Sequence, residues 1–406
     1  MNRNLTRLGS AEKPKWLDNS EMERLDHLAG LPFDDSEYMS RLDNVRAQME
    51  VQDLRAYAIF RPSTVEYLCG HHTVEPLPQP LVVMPEAAYL LVPEAELGRA
   101  VASSNTEEIL YYSPLEDGMA LLGGFLSESL PSDDRVGLEL QQTGTPPRLA
   151  QLLSQSGFQV QDANYLAETL RLVVSPAELA LVKAAAKITE QGVVAAVAAA
   201  DGGKVTDSQI AAAVKGALVR DANSQAAFDV VVATGWRGGV PHSTWSNVEI
   251  EEGTTTFLEF SGAHHRYVAP VMRTLSHGVA TGEARRLEDY AQTMLASVRD
   301  TLRPGVLCSD VAMAAKKSLG ELDSSTIFHF NFGYPVGLAH PPTWMDGAPN
   351  YLIETNHAPV EEGMLFHLPA SFRTLGRCGV GLSQTVYVGG DGVDVISTDT
   401  PQLRVV

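Results

Sequence analysis

The residue whose type and setting most plainly suggest chemistry is a carboxylate. Glu259 ends the run TTTFLE, and the alternation of a strand sets it on the face opposite Phe260. A charge in mid-strand is costly to bury unless something pairs with it. Two uses fit. Arg266 or Arg273 could hold it in a structural ion pair. Alternatively it is a nucleophile or base acting on an electrophilic carbon. A carboxylate needs no activation to attack an amidinium carbon, and the positive charge of such a substrate would be its partner. Arg273 could equally orient a substrate carboxylate through a bidentate pair.

Other side chains could complete such a site. His242, in the loop GVPHSTW, has the near-neutral pKa of a proton shuttle, although a loop histidine is often merely exposed. Tyr334 follows Gly333, which lets the backbone pass close to a ligand; its phenol could donate to developing negative charge or simply pack. Trp344 and Trp245 could wall a cation-accepting pocket or sit in the core. His367, in LFHLP, alternates with apolar neighbours as a satisfied core histidine would. His71 and His72 stand together in CGHHTV, a weak signal alone.

The elements that must position these residues can be read from periodicity. Residues 35–54 place Leu42, Val45 and Met49 at helical spacing, with Asp35 or Ser36 as cap. RAYAIF, PLVVMPEAAYLLVP, RVGLEL and FQVQDA read as strands, with short helices at RPSTVEYLCG and PPRLAQLLSQSG. Residues 1–35 look loosely organised. This alternation predicts an α/β domain over 1–165. Ser175, Pro176 and Glu178 form a capping box and first turn for a long helix to residue 200, which opens a second domain over 171–406. A helix at 207–221 follows, then strands at 227–235, 254–278, 363–372 and 379–390, with a helix pair at 281–303 and 309–320 among them.

The totals narrow the function classes. A chain of 406 residues, 44% hydrophobic, can bury two cores. A formal charge of −20 argues against nucleic acid and anionic membranes as partners. The longest apolar run, GVVAAVAAA, is too short to span a bilayer, and no secretory signal is read at the N-terminus. Cys69, Cys308 and Cys378 are too scattered for a disulfide framework or a zinc knuckle, so a cytoplasmic protein with reduced thiols is expected.

In order and content the pieces resemble the creatinase, aminopeptidase P and prolidase family. The markers are FDVVVATG…PH, EEGTTTFLEFSGAHHRY…RT, GYPVGL…HPP, EEGMLFHLP and GVGLSQTVYV. The resemblance implies a two-domain pita-bread fold with a creatinase-like N-terminal domain, acting as a homodimer. The metallopeptidases of that family hold two metal ions with two Asp, one His and two Glu. On this sequence those positions carry Glu259, Pro270, Tyr334, Pro369 and Ser383. One carboxylate cannot hold two cations against water, so neither metal nor other cofactor is expected.

The metal-free branches of the family are creatinase and the ectoine hydrolases, and LEFSGAHHRYVAPVMRT, GYPVGLAHPPTW and GMLFHLP are similar to the second. There the resemblance puts His242 beside the scissile bond, and Tyr334, His340, Trp344 and His367 around the substrate. It sets His71 and His72 where one subunit's N-terminal domain covers the other's active site. Two departures suggest a relative of ectoine as substrate: Gln384 stands where Glu is expected, and WMDG replaces a WGE-like turn.

The expectation is metal-independent hydrolysis of a non-peptide C–N bond in a small charged, cyclic amidine or guanidino compound. Glu259 and His242 would be catalytic, with Tyr334, Arg273, His340, Trp344, His367, Gln384 and His71 binding substrate. The alternatives are creatinase-type chemistry on a linear guanidino acid, a catalytically silent binding module, and, disfavoured by its ligands, an Xaa-Pro metallopeptidase.

Overall fold

The computed structural model describes residues 3–26, 30–201, 204–345, 349–397 and 401–406. The chain divides into two compact units, Met1–Leu170 and Arg171–Val406. In the first, apolar runs such as Ala56–Ile59 and Ala88–Pro93 are buried almost throughout, as strands covered on both faces must be. They belong to a seven-stranded sheet in the order Asn4–Arg7, Glu108–Tyr112, Ala88–Pro93, Leu81–Val83, Ala56–Ile59, Arg135–Leu138, Gln159–Asp162. Leu81–Val83 is antiparallel to both neighbours, and the other pairs are parallel. Asp35–Val51, Pro62–Cys69 and Leu97–Ser103 cover one face, Gly118–Ser129 and Pro147–Gln155 the other.

Two sequence expectations need correction in this unit. The N-terminal stretch is organised: Asn4–Arg7 is the edge strand and Asn19–Asp26 a helix. The strand is mostly exposed and takes its register from Glu108–Tyr112, so no hydrophobic period marks it. The helix cap is Asp34, neither Asp35 nor Ser36; its carboxylate accepts the Glu37 N–H.

The second unit opens with the expected capping box. Ser175 Oγ accepts from Glu178 N–H, Glu178 reaches back to Ser175 N–H, and Pro176 starts a helix that runs to Ala200. This helix and Asp207–Arg220 pack on a four-stranded sheet, ordered Arg404–Val405, Val271–Ser276, Thr255–Phe260, Val231–Thr234. Helices Gly282–Thr301 and Cys308–Leu319 pack on a second sheet built around the hairpin of Leu365–Thr374 and Cys378–Gly389. The short Tyr334–Pro335 strand pairs beside that hairpin.

The two sheets meet through side chains in place of a ladder. Met272 N–H donates to Ser383 Oγ at 2.5 Å, and Thr385 Oγ1 donates to the Pro270 carbonyl at 2.9 Å. Thr274 Oγ1 donates to the Gly381 carbonyl and accepts the Gly381 N–H. Only glycine fits at 381, because a Cβ there would run into the Phe257 ring. Among the described residues no helix is long and apolar enough to cross a membrane.

Candidate active site

Glu259 lies opposite Met272 on one neighbouring strand and Val231 on the other. Leu258 and Phe260 enter the core beneath the helices, so alternation leaves Glu259 and Phe257 on the inner face. The residue is only 7% exposed, and no described residue hydrogen-bonds or ion-pairs with its carboxyl group. Burial drives its pKa up to about 7, with the charge of Arg373 acting the other way.

The structural ion pair foreseen for Glu259 is not formed. Arg273 lies opposite Leu258 and donates to the carbonyls of Met272 and Ser383. Arg266 sits in a left-handed turn at φ 60°. The cation that Glu259 feels is Arg373, whose guanidinium rests 4.0 Å from the Phe257 ring centroid and donates to the Gly238 carbonyl. Burial lowers that guanidinium to about 10, and Glu259 partly restores it.

A chain of hydrogen bonds runs within reach of the Glu259 charge. Tyr334 stands opposite His367 in the sheet, and Ser383 lies two residues along from Thr385, the other neighbour of His367. The His367 ring meets Tyr334 Oη through Nδ1 at 2.7 Å and Ser383 Oγ through Nε2 at 2.7 Å. Trp344 Nε1–H donates to Tyr334 Oη at 2.9 Å, and Phe228 packs edge-on against Trp344. Burial, helped by the charge of Arg273, takes His367 down to about 3, so the ring is neutral. Burial and the charge of Glu259 lift the Tyr334 phenol well above its usual value.

The remaining sequence candidates divide. His340 is buried beside the Pro341–Pro342 turn that leads to Trp344. His242 is exposed, at φ 59°, and no described hydrogen bond or ring contact ties it to the cluster. Trp245 is 39% exposed and its ring lies under the Lys215 ammonium, 5.0 Å from the ring centroid, whereas Trp344 is buried. Gln384 alternates with Ser383, so its side chain leaves the inner face, and it accepts from Arg299 of the covering helix. That removes it from the substrate side. His71 is a buried residue of the first unit, its ring nitrogens meeting Ser103 and Gln79, and it offers no open ring edge to a substrate. Gly333 serves core packing, since a Cβ there would come within 2.6 Å of Leu352. Asp346, the acidic residue of WMDG, lies outside the described residues.

Sequence reasoning missed Arg373 and Phe228, and it saw in Ser383 only a lost ligand. Arg373 was within reach: residues 367, 369, 371 and 373 share one face by strand alternation.

The chain belongs to metallopeptidase family M24, whose family model matches residues 180–389; the creatinase/prolidase N-terminal domain matches residues 41–173. It is 26% identical over 399 residues to the uncharacterized hydrolase/peptidase y4tM of Sinorhizobium fredii, covering 93% of this chain and 99% of that one. It is 27% identical over 176 residues to the ectoine hydrolase of Halomonas elongata, 43% of each chain. Its fold is that of the Xaa-Pro dipeptidase from Bacillus anthracis, a pita-bread protein (TM-score 0.78, 16% identity, 91% of this chain and 100% of that one).

The two metal ions that the resemblance to the family's metallopeptidases implies do not fit this donor set. Of the five positions, Pro270 and Pro369 carry no donor, and Tyr334 and Ser383 are hydroxyls already engaged with His367. Both nitrogens of that histidine are occupied in turn. Among the described residues no group of three or more His, Cys, Asp or Glu is placed to hold a metal ion. Glu259 alone offers an anionic oxygen.

Proposed function

We propose that the chain is a metal-independent hydrolase of a C–N bond in a small cationic amidine or guanidino compound. The observation that carries this reading is the buried, unpartnered Glu259 carboxyl group beside the Tyr334–His367–Ser383 chain. A carboxyl group held near pKa 7 can take a proton from water at neutral pH, the property a general base needs. A cationic substrate would supply the missing partner and turn the group fully to its charged form. Trp344 adds an aromatic wall suited to such a cation. The likeness to an ectoine hydrolase supports the substrate class; the likeness to Xaa-Pro dipeptidases supports C–N hydrolysis in general.

The test is incubation of chelator-treated protein with amidines, guanidino acids, ectoine and Xaa-Pro dipeptides, read by NMR. Turnover of an amidine or guanidino compound without added metal is the expected result. Turnover confined to dipeptides, and only with added manganese, would overturn it. The expected homodimer is checked on the same sample by light scattering.

A further inference from the structure

Resting on that reading, we infer that Tyr334, and not the exposed His242, delivers the proton to the leaving nitrogen, because a fixed tautomer of His367 frees the Tyr334 hydroxyl hydrogen for the substrate. Three hydrogens lie along the chain: the Tyr334 O–H, the Ser383 O–H and the one N–H of a neutral imidazole. They have two hydrogen bonds to make, Tyr334–His367 and His367–Ser383. The outer ends are already donors, since Trp344 Nε1–H points to Tyr334 and Met272 N–H points to Ser383. One hydroxyl hydrogen must therefore look elsewhere.

Which one is decided by burial. If His367 carries its proton on Nε2, Ser383 receives two donors and its own hydrogen is left over. Ser383 is 0% exposed, and among the described residues its hydroxyl meets only the Met272 N–H and the His367 ring. A buried polar hydrogen without a partner costs about 1–3 kcal/mol. If the proton is on Nδ1, Ser383 donates to Nε2 and is satisfied. Tyr334 Oη then accepts from both Trp344 and His367, and its hydrogen is the one left over. Tyr334 is also buried, at 4% exposure, but it feels the charge of Glu259, so on this proposal a substrate bound at Glu259 takes that hydrogen.

The reaction balances with this assignment. Glu259 takes a proton from water as the oxygen bonds to the amidinium carbon, and the C=N π pair moves onto nitrogen. With Glu259 neutral, the charge that held the phenol proton is gone. The C–N bond then breaks with its pair on the departing nitrogen, which receives the Tyr334 proton. The phenolate is held by the N–H groups of Trp344 and His367, as in an oxyanion hole. It regains a proton from the adduct hydroxyl as the carbonyl forms, and Glu259 passes its own proton to the released amine.

The first test needs no substrate: ring nitrogen NMR of protein labelled with ¹⁵N-histidine, the His367 signals assigned by their loss in His367→Gln. Protonated Nδ1 with bare Nε2 is expected. The reverse tautomer, or a charged ring at pH 7, overturns the proposal. On a compound found by the panel above, Tyr334→Phe should lower kcat by about 100-fold or more and change KM little, while His242→Gln stays within a few-fold. A loss in His242→Gln with Tyr334→Phe active would overturn it. If Glu259→Gln is inactive while Tyr334→Phe works normally, this inference fails alone; if Glu259→Gln works normally, the underlying reading fails instead.

Discussion

Tyr334 and His367 face each other across an antiparallel pair, and the phenol oxygen lies 2.7 Å from the ring Nδ1. Resemblance to the metallopeptidases puts a metal-binding histidine at the position of Tyr334. The phenol instead ties the neighbouring histidine into a hydrogen-bonded chain that ends on Ser383. Two residues at positions that would share a cation are thus each bonded to His367 instead.

Purified protein is expected to hold far less than one equivalent of manganese, zinc or iron per chain. Chelators should change neither its melting nor its turnover. Elemental analysis near two ions per chain would refute this, because it would require ligands that the described site does not provide.

Glu259→Gln is expected to keep the fold and lose turnover by at least about 100-fold, the scale of a general base. Glu259→Asp should lose about as much, since a shortening near 1.5 Å exceeds the positional error that costs on the order of 100-fold. Single-turnover assays with circular dichroism on the same samples decide it. A Gln variant within a few-fold of the parent would make Glu259 structural.

Binding of a simple cation, acetamidinium, should depend on pH through Glu259. The carboxyl group is protonated below its pKa of about 7 and gains charge above it. Affinity should therefore rise by about tenfold per pH unit on the acid side and level off above neutrality. Calorimetry at pH 5.5, 6.5 and 8 reads this, and Glu259→Gln should flatten it.

Stability should fall as pH rises from about 4.5 to 8. Glu139, in the first unit, is fully buried and pushed up to about 8 by burial and by the charge of Glu168, although it accepts the N–H groups of Phe60 and Arg61. Like Glu259, it is raised above its unfolded value. The stability that each contributes is full below the unfolded pKa and is lost as pH passes the folded one. For Glu259 the loss is on the order of 3 kcal/mol. Urea midpoints at pH 5, 7 and 9 should decline, and Glu139→Gln should reduce the slope. A flat profile would contradict the buried, neutral carboxyl groups.

Gln384→Ala is expected to leave turnover within about threefold and to lower stability by about 1 kcal/mol, the worth of its bond from Arg299. Loss of activity at unchanged stability would place Gln384 in the substrate site after all.

Much of this was legible in the residues. The capping box at Ser175, Pro176 and Glu178 fixes the entry of the second unit by local chemistry alone. The opposition of Glu259 to Phe260 follows from the two-residue period of a strand, and the same rule, applied to Ser383, turns Gln384 outward. What alternation cannot say is which distant strand lies across the gap. Arg373 brings its charge near Glu259 only because the sheets meet as they do, and Arg273, nearer in sequence, points its donors to carbonyls instead. The resemblance set His71 toward a substrate, but folding buries it against Ser103 and Gln79.

The hydroxyl of Ser383 receives a backbone N–H from one sheet and meets an imidazole nitrogen within the other. It therefore works as an interlock between architecture and proton position. Parting the sheets by an ångström at Met272 would release one side of that hydroxyl and admit water to accept its hydrogen, and the energetic preference for a single His367 tautomer would go with it. Such an enzyme gauges its own closure: warmed toward melting, it should fall silent while its helices are still intact.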